Sequence, residues 1–203
     1  MPRSTATLRT AGRLAAASIG LATLAACGGD TGVTAATAPT SPQGSVAASD
    51  VATVGAAAPA GTFSTVDGAT VDVASYRGKP TVLWFIATDC SSCTASIPTV
   101  ADHLNTFRAD GVNVAVIDLY GDLGQGPAAA RALAQVGHKL AGPRLTDPTW
   151  MWGISSRDLS FRYDPYGAPD VYYVIDRAGR ITYRNSVPVS TMSDLLAQAK
   201  AAA

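Results

Sequence analysis

The sequence contains no glutamate: all 15 of its acidic residues are aspartates, set against 15 Lys and Arg. Any carboxylate that handles protons must therefore reach its target on the shorter side chain. Histidine is nearly absent, with only His103 and His138, and cysteine is confined to Cys27, Cys90 and Cys93. A closed zinc site built on the last two cysteines would need both histidines, which stand at no familiar ligand spacing. An excess of positive charge is also missing. The formal net charge is zero, and three of the arginines (Arg3, Arg9 and Arg13) lie in the first stretch, so the rest of the chain sits near −3. That balance argues against a nucleic-acid partner, which calls for a basic surface. Finally, the apolar run Leu14–Ala26 is 13 residues long, too short to span a bilayer comfortably.

What is there at the N-terminus is an order of features. Three arginines, the apolar run and then Cys27 form the layout of a secretory signal peptide. Leu24-Ala25-Ala26-Cys27 resembles the lipobox of bacterial lipoproteins, in which the Cys is acylated and becomes the first residue after cleavage. The resemblance implies a signal peptide over 1–26, lipidation at Cys27, and a protein held on the outer face of the bacterial cell membrane. Each buried acyl methylene contributes about 0.8 kcal/mol to such an anchor. Ordinary secretion after an Ala-x-Ala-like site is the alternative. Residues 28–55 are Ala, Gly, Thr, Ser and Pro with almost no large apolar side chain, a composition that cannot offset the entropy of ordering and reads as a flexible tether. Residues 56–203 are left as one domain of ordinary size.

Within that domain, Phe63–Val73 reads as a β-hairpin with Asp67-Gly68 as a two-residue turn. Thr81–Ala87 is a continuous apolar run of the kind found in strands buried on both faces. After Cys90, residues Ile97, Val100, Ala101, Leu104 and Phe107 recur at helical spacing, with Pro98 expected to kink the helix. Val112–Ile117 is the next buried strand, and Pro127 opens a second helix carrying Leu133, Val136 and Leu140. This order requires a right-handed crossover and a parallel strand pair. A second hairpin joins Val171–Ile175 to Ile181–Tyr183, and Ser190 is a candidate cap for a last helix buried through Met192, Leu195, Leu196 and Ala199. The expected class is α/β, a thioredoxin-like fold with a central mixed sheet flanked by helices and an N-terminal β-hairpin.

Cys90-Ser91-Ser92-Cys93 falls where a buried strand ends and a helix begins. The second cysteine then lies one turn along from the first, within disulfide reach. Unpaired amides at the helix start favour a thiolate at Cys90, which makes it the attacking sulfur and Cys93 the resolving one. A static disulfide is the other reading, but a bridge closing so small a loop constrains the unfolded chain little. The cofactor implied is the redox-active Cys90–Cys93 disulfide itself, with no metal.

The stretch from Pro59 to Arg184 resembles the TlpA/ResA-like branch of the thioredoxin superfamily. The shared features are Gly78-Lys79-Pro80, the strand running into the Cys-Ser-Ser-Cys motif, Pro98, Gly167-Ala168-Pro169, and Ile175-Asp176-Arg177-Ala178-Gly179-Arg180. The resemblance implies a membrane-tethered thiol-disulfide oxidoreductase that reduces or exchanges disulfides in partner proteins outside the cytoplasm, in cytochrome c maturation or oxidative folding. It implies an upstream membrane electron donor or acceptor as well. It further implies that Pro169 is cis and packs beside the sulfurs, with the backbone of Ala168 open to an extended substrate peptide. The alternative for Pro169 is the start of an edge strand.

The chain departs from the family at informative places. Asp89 stands where many relatives carry Trp before the first Cys, and its charge opposes a neighbouring thiolate. Trp84 holds the place of the buried carboxylate that thioredoxins carry six residues before the first Cys. Among the aspartates only Asp118, at the end of the second long strand, offers itself as a stand-in, against the plainer reading of a solvated strand end. His103 reads as solvated and His138 as a helix-end cation. The spacing is one residue short of the C-x-x-x-C of SCO-type copper chaperones, and Ala87 replaces the Thr that peroxiredoxins place three residues before their reactive Cys. Trp150, Trp152, Phe161, Tyr163 and Tyr166 either line a groove or fill the core. An enzyme is the first reading; a redox-silent binding lipoprotein on the same scaffold, favoured by Asp89 and Trp84, is the second.

Overall fold

The structure is a computed structural model that describes residues 50–203. The lipobox, Cys27 and most of the expected tether lie outside the described residues. Seven strands form one mixed sheet: β1 Thr62–Thr65, β2 Thr70–Asp72, β3 Thr81–Ile86, β4 Asn113–Asp118, β5 Trp150–Ser155, β6 Val171–Ile175 and β7 Ile181–Ser186, in the spatial order β2-β1-β5-β4-β3-β6-β7. Five α-helices accompany it: α1 Ser91–Asp102, α2 Leu104–Ala109, α3 Gly126–Ala141, α4 Arg157–Tyr163 and α5 Pro188–Ala202.

β3 is the central strand, and its sequence shows why. All six residues from Thr81 to Ile86 are buried, with parallel β4 on one side and antiparallel β6 on the other. Its side chains alternate between two cores. Val82, Trp84 and Ile86 join the cluster packed under α1, α2, α3 and α5. Leu83 and Phe85 face the opposite cluster with Tyr163, Tyr173 and Leu159. Ile97 of α1 and Leu133 of α3 have no exposed surface, and full burial of such a side chain contributes about 1.5–3 kcal/mol. The α/β class and the mixed sheet are as expected, and so is the start of α3 at Gly126 with Pro127 in its first turn.

Three local expectations are corrected. The first hairpin closes at Thr65 and Ala69, where the Thr65 amide donates to the Ala69 carbonyl and the Thr65 carbonyl accepts from Gly68, leaving a three-residue loop, Val66–Gly68, with Gly68 at φ +92°. Thr65 Oγ1, which bonds both Ala69 and the Asp67 carboxylate, holds that wider loop. Pro98 sits inside α1, and the helix instead breaks at His103 (φ −104°, ψ 5°), whose Nδ1 lies 2.8 Å from the Thr99 carbonyl oxygen. Ser190 is not the cap of the last helix, which begins at Pro188 after Val187 in the left-handed region. A larger difference is an element that the hydropathy pattern leaves unassigned. Trp150–Ser155 is a strand, parallel to β4 and antiparallel to β1, and α4 follows it with Ser156 as its N-cap. Gly153 permits this placement, because a Cβ there would meet Phe63 Cδ2 at 2.4 Å and the Ser64 carbonyl at 2.8 Å. Residues at the end of the expected tether also pack on the domain: Ala52 is buried, its amide donates to the Arg162 carbonyl at 2.8 Å, and the Gly55 amide donates to Ile181 at 2.7 Å.

Candidate active site

The chain leaves β3 at Ile86, turns through Ala87–Asp89 and enters α1 at Ser91, so the end of the central strand delivers Cys90 to a helix N-terminus. Cys90 is the N-cap residue (φ −77°, ψ 117°), and its sulfur accepts the backbone amide of Cys93 at 3.3 Å. A sulfur in that position takes the place of a capping oxygen at the helix start. Ser92 Oγ approaches it at 3.2 Å. Cys90 is half-buried and Cys93 fully buried, both as free thiols. The outer sulfur is open to a partner and the inner one is reached only through it. Burial, first, and then the nearby Cys90 and Asp170 groups push the Cys93 thiol well above the ordinary thiol range.

The residue that the sequence did not single out is Asp170. It is completely buried, and a carboxylate oxygen and the two cysteine sulfurs all lie within 4.8 Å of one another. Trp84 Nε1 donates to Asp170 Oδ1 at 2.9 Å, and Ser96 Oγ approaches Oδ2 at 3.5 Å. The Trp that displaces a carboxylate from β3 therefore holds another carboxylate, from the residue just before β6, against the same sulfurs. Burial raises the Asp170 pKa; Ser92, Trp84 and Ser96 each offset part of that rise. Asp170 has φ +74°, a conformation that few residues other than Gly adopt and that Asp tolerates better than most. Its backbone is fixed there by its amide to Phe85 (2.8 Å) and by the Val187 amide to its carbonyl (2.9 Å). Two sequence signals point to it. A Trp inside a doubly buried strand needs an acceptor for its N–H, and an Asp opening an all-apolar strand is a buried charge in need of partners.

The other expected residues are placed as follows. Ala168 is exposed and Pro169 half-buried, directly before Asp170. The Ala168 amide is already engaged, donating to Asp164 Oδ1 at 2.9 Å. Asp118 is not a solvated strand end: it is fully buried, and neither carboxylate oxygen has a hydrogen bond of ordinary geometry. Burial, followed by the adjacent Asp122 carboxyl, raises its pKa to about 8. Asp122 moves down, helped by Asp118 and by the Thr88 amide that donates to it at 2.5 Å. Asp89 is exposed beside Cys90. His103 and His138 lie outside the Cys90–Cys93–Asp170 group, which offers three donors where a closed zinc site takes four. Trp150, Trp152 and Tyr163 are core, while Phe161 (45% exposed) and Tyr166 (90% exposed) face solvent. Phe161 shares a shallow groove of about 180 Å³ with Leu119, Tyr120, Asp164 and Gly167.

Residues 53–199 match the Redoxin family. A Mycobacterium tuberculosis protein that carries a provisional peroxiredoxin name is 29% identical over 136 residues, covering 64% of this chain and 82% of its own length. Among solved structures, a protein from Bacteroides thetaiotaomicron provisionally described as a disulfide isomerase superposes with a TM-score of 0.58 at 22% identity, over 75% of this chain and 91% of that one. A secreted M. tuberculosis disulfide oxidoreductase homologous to DsbE gives a TM-score of 0.50 at 24% identity, over 70% and 95%. These structural likenesses establish the thioredoxin fold. The chain belongs to the Redoxin family: it is an oxidoreductase built on the thioredoxin fold, with a Cys-Ser-Ser-Cys pair at the start of the helix that follows its central strand.

Proposed function

We propose that this protein exchanges or reduces disulfides in partner proteins through Cys90 and Cys93, outside the cytoplasm and anchored to the membrane by a lipid on Cys27. The observation that carries the chemistry is the pairing of a half-exposed sulfur at a helix N-cap with a buried sulfur one turn behind it. The Cys90 thiolate attacks a partner disulfide, one partner sulfur leaves as a thiolate, and a mixed disulfide forms. Cys93, as a thiolate, then attacks the Cys90 sulfur. The second partner sulfur leaves, the Cys90–Cys93 disulfide forms, and two electrons have passed to the partner. A membrane electron donor returns the pair to the dithiol for the next cycle; run in reverse, the same steps oxidise a partner. Ala168 and Pro169 form the docking edge for the substrate peptide. Because Asp164 occupies the Ala168 amide, the peptide pairs first through the Ala168 carbonyl. The lipobox resemblance at Leu24–Cys27 supports the anchor and the location.

Mass spectrometry after mild alkylation, with and without dithiothreitol, tests the dithiol. Cys90 should alkylate rapidly only after reduction, and a Cys90 that stays unreactive when reduced leaves a redox-silent scaffold. Replacing Cys93 by Ala should trap the mixed disulfide with the partner, and a reduction potential near −270 mV would mark a reductant, one near −120 mV an oxidant.

The M. tuberculosis relative named as a peroxiredoxin favours a second reading, peroxide reduction. There Cys90 would take an oxygen from the peroxide to become a sulfenic acid, and Cys93 would condense with it, releasing water. Ala87, which supplies no hydroxyl three residues before Cys90, weakens that reading. Hydrogen peroxide turnover slower than disulfide exchange at equal concentrations would set it aside.

A further inference from the structure

We infer that Asp170 is the proton acceptor for Cys93 in the step that resolves the mixed disulfide. The inference rests on the disulfide-exchange reading and assigns a group to its second half.

The resolving sulfur has a specific difficulty. Cys93 has no exposed surface, so bulk water cannot collect its proton directly, and its burial disfavours the thiolate that must attack Cys90. A base must therefore be built into the protein. Among the described residues, the one group of three or more Asp, His and Cys side chains drawn together this closely is Cys90, Cys93 and Asp170, with ligand atoms within 4.8 Å of one another. Within that span a small side-chain movement when a partner docks brings carboxylate and thiol together, since catalytic hydrogen bonds tighten on complex formation. Of the other two buried carboxyls, Asp118 bears on Asp122 and Asp89 instead, and Asp164 accepts the Ala168 amide.

The surroundings of Asp170 suit the task. Trp84 from β3 and Ser96 from α1 hold the carboxylate, and the Val189 amide of α5 donates to Ser96 Oγ at 3.1 Å. The titratable groups that face it are the two cysteines, with Ser92 as a further hydroxyl. Burial lifts its pKa above the ordinary carboxylate range, which makes its ionised form a stronger base. Asp170 also directly follows the Ala168-Pro169 docking edge. A bound peptide covers that edge, removes remaining water and makes the carboxylate a stronger base when the mixed disulfide is present. In the step itself, the Cys93 proton passes to Asp170, the Cys93 sulfur forms the bond to Cys90, and the departing partner sulfur keeps the electron pair of the broken bond. Asp170 then yields its proton to the departing thiolate or to water.

Reaction of the reduced protein with 5,5′-dithiobis(2-nitrobenzoate) separates the two halves, because Cys90 capture releases one coloured thiolate and Cys93 resolution releases a second. In Asp170→Asn the first release should not slow, since a negative charge beside the sulfur is removed, whereas the second should fall at least tenfold at pH 7 and climb log-linearly with pH. A merely structural defect slows both phases. The unsubstituted protein provides a check that needs no variant. Its second phase should level off below pH 9 if a carboxylate takes the proton, and the plateau should persist in Asp118→Asn. An unchanged second phase in Asp170→Asn, a unit slope through pH 10 in the unsubstituted protein, or loss of the plateau in Asp118→Asn overturns the assignment. Absence of the first release from the unsubstituted protein would instead remove the disulfide-exchange reading.

Discussion

Two fully buried aspartates flank the end of β3, and they differ in what they touch. Asp118 closes β4 opposite Ile86, while Asp170 precedes β6 beside Phe85. Burial raises the pKa of both. Asp170 has an indole N–H and a serine hydroxyl directed at it, and these draw its pKa back down. Asp118 has no ordinary hydrogen bond and a second carboxyl nearby, which adds to the rise. The same burial thus gives a held, chemically available carboxylate on one side of the strand and a proton-retaining one on the other. The number of donors, not depth, separates them.

The comparison breaks most sharply at Trp84. Trp84→Phe removes the donor from Asp170 and leaves that carboxylate in the state of Asp118. The lost hydrogen bond to a charged group and the cavity left by the smaller ring together should cost about 2–4 kcal/mol at pH 7. A group whose folded pKa is raised loses its stabilising effect as pH rises, so urea denaturation should show a smaller loss at pH 5 than at pH 8. Equal losses at both pH values would mean that packing alone was removed.

Asp118→Asn acts in the opposite direction. Between about pH 4, where an unfolded Asp releases its proton, and about pH 8, where Asp118 does so in the folded protein, the native state holds a proton that the unfolded chain has lost. Stability from this group is complete below that window and declines across it as pH rises. Asparagine needs no proton to stay neutral and offers an N–H toward Asp122. The variant should therefore be more stable by about 1–3 kcal/mol at pH 8, with little difference at pH 4. A variant that is less stable at pH 8 would show that the two carboxyls do not share a proton.

This contrast also shows what the sequence could reveal. The doubly buried β3, the position of Cys90 at the start of α1, and Pro127 opening α3 are local patterns of hydropathy and capping, and the structure keeps each of them. β5 escaped because Gly153 interrupts a Trp-rich stretch and leaves its period open; what fixes it is a contact with Phe63, 90 positions earlier. Asp170 escaped for a similar reason. Its partner Trp84 is 86 residues away, a contact made across the sheet and not along the chain. Asp118 looked solvated because strand ends usually are, and burial by neighbouring elements carries no local signature.

Ser96 offers a milder test of the held side of the comparison. Its hydroxyl accepts the Val189 amide at 3.1 Å and reaches Asp170 at 3.5 Å. Ser96→Ala leaves the indole bond intact, so it should cost about 1 kcal/mol in urea denaturation, well below the cost of Trp84→Phe. A loss as large as the Trp84 variant's would place the main support of Asp170 on α1 and not on β3.

The smallest effect belongs to Asp89, an aspartate in the same neighbourhood that is exposed. Its charge is adjacent in sequence to Cys90 but solvated, and exposed charges interact weakly across water and are screened by salt. Asp89→Asn should therefore speed alkylation of Cys90 by iodoacetamide about twofold at low ionic strength, and the gain should vanish in 1 M salt, where the screening length falls to about 3 Å. A gain that survives high salt would mean that the substitution reshapes the Ala87–Cys90 turn instead of merely removing a like charge. Asp89 would then be a residue that positions the reactive sulfur through the turn that carries it.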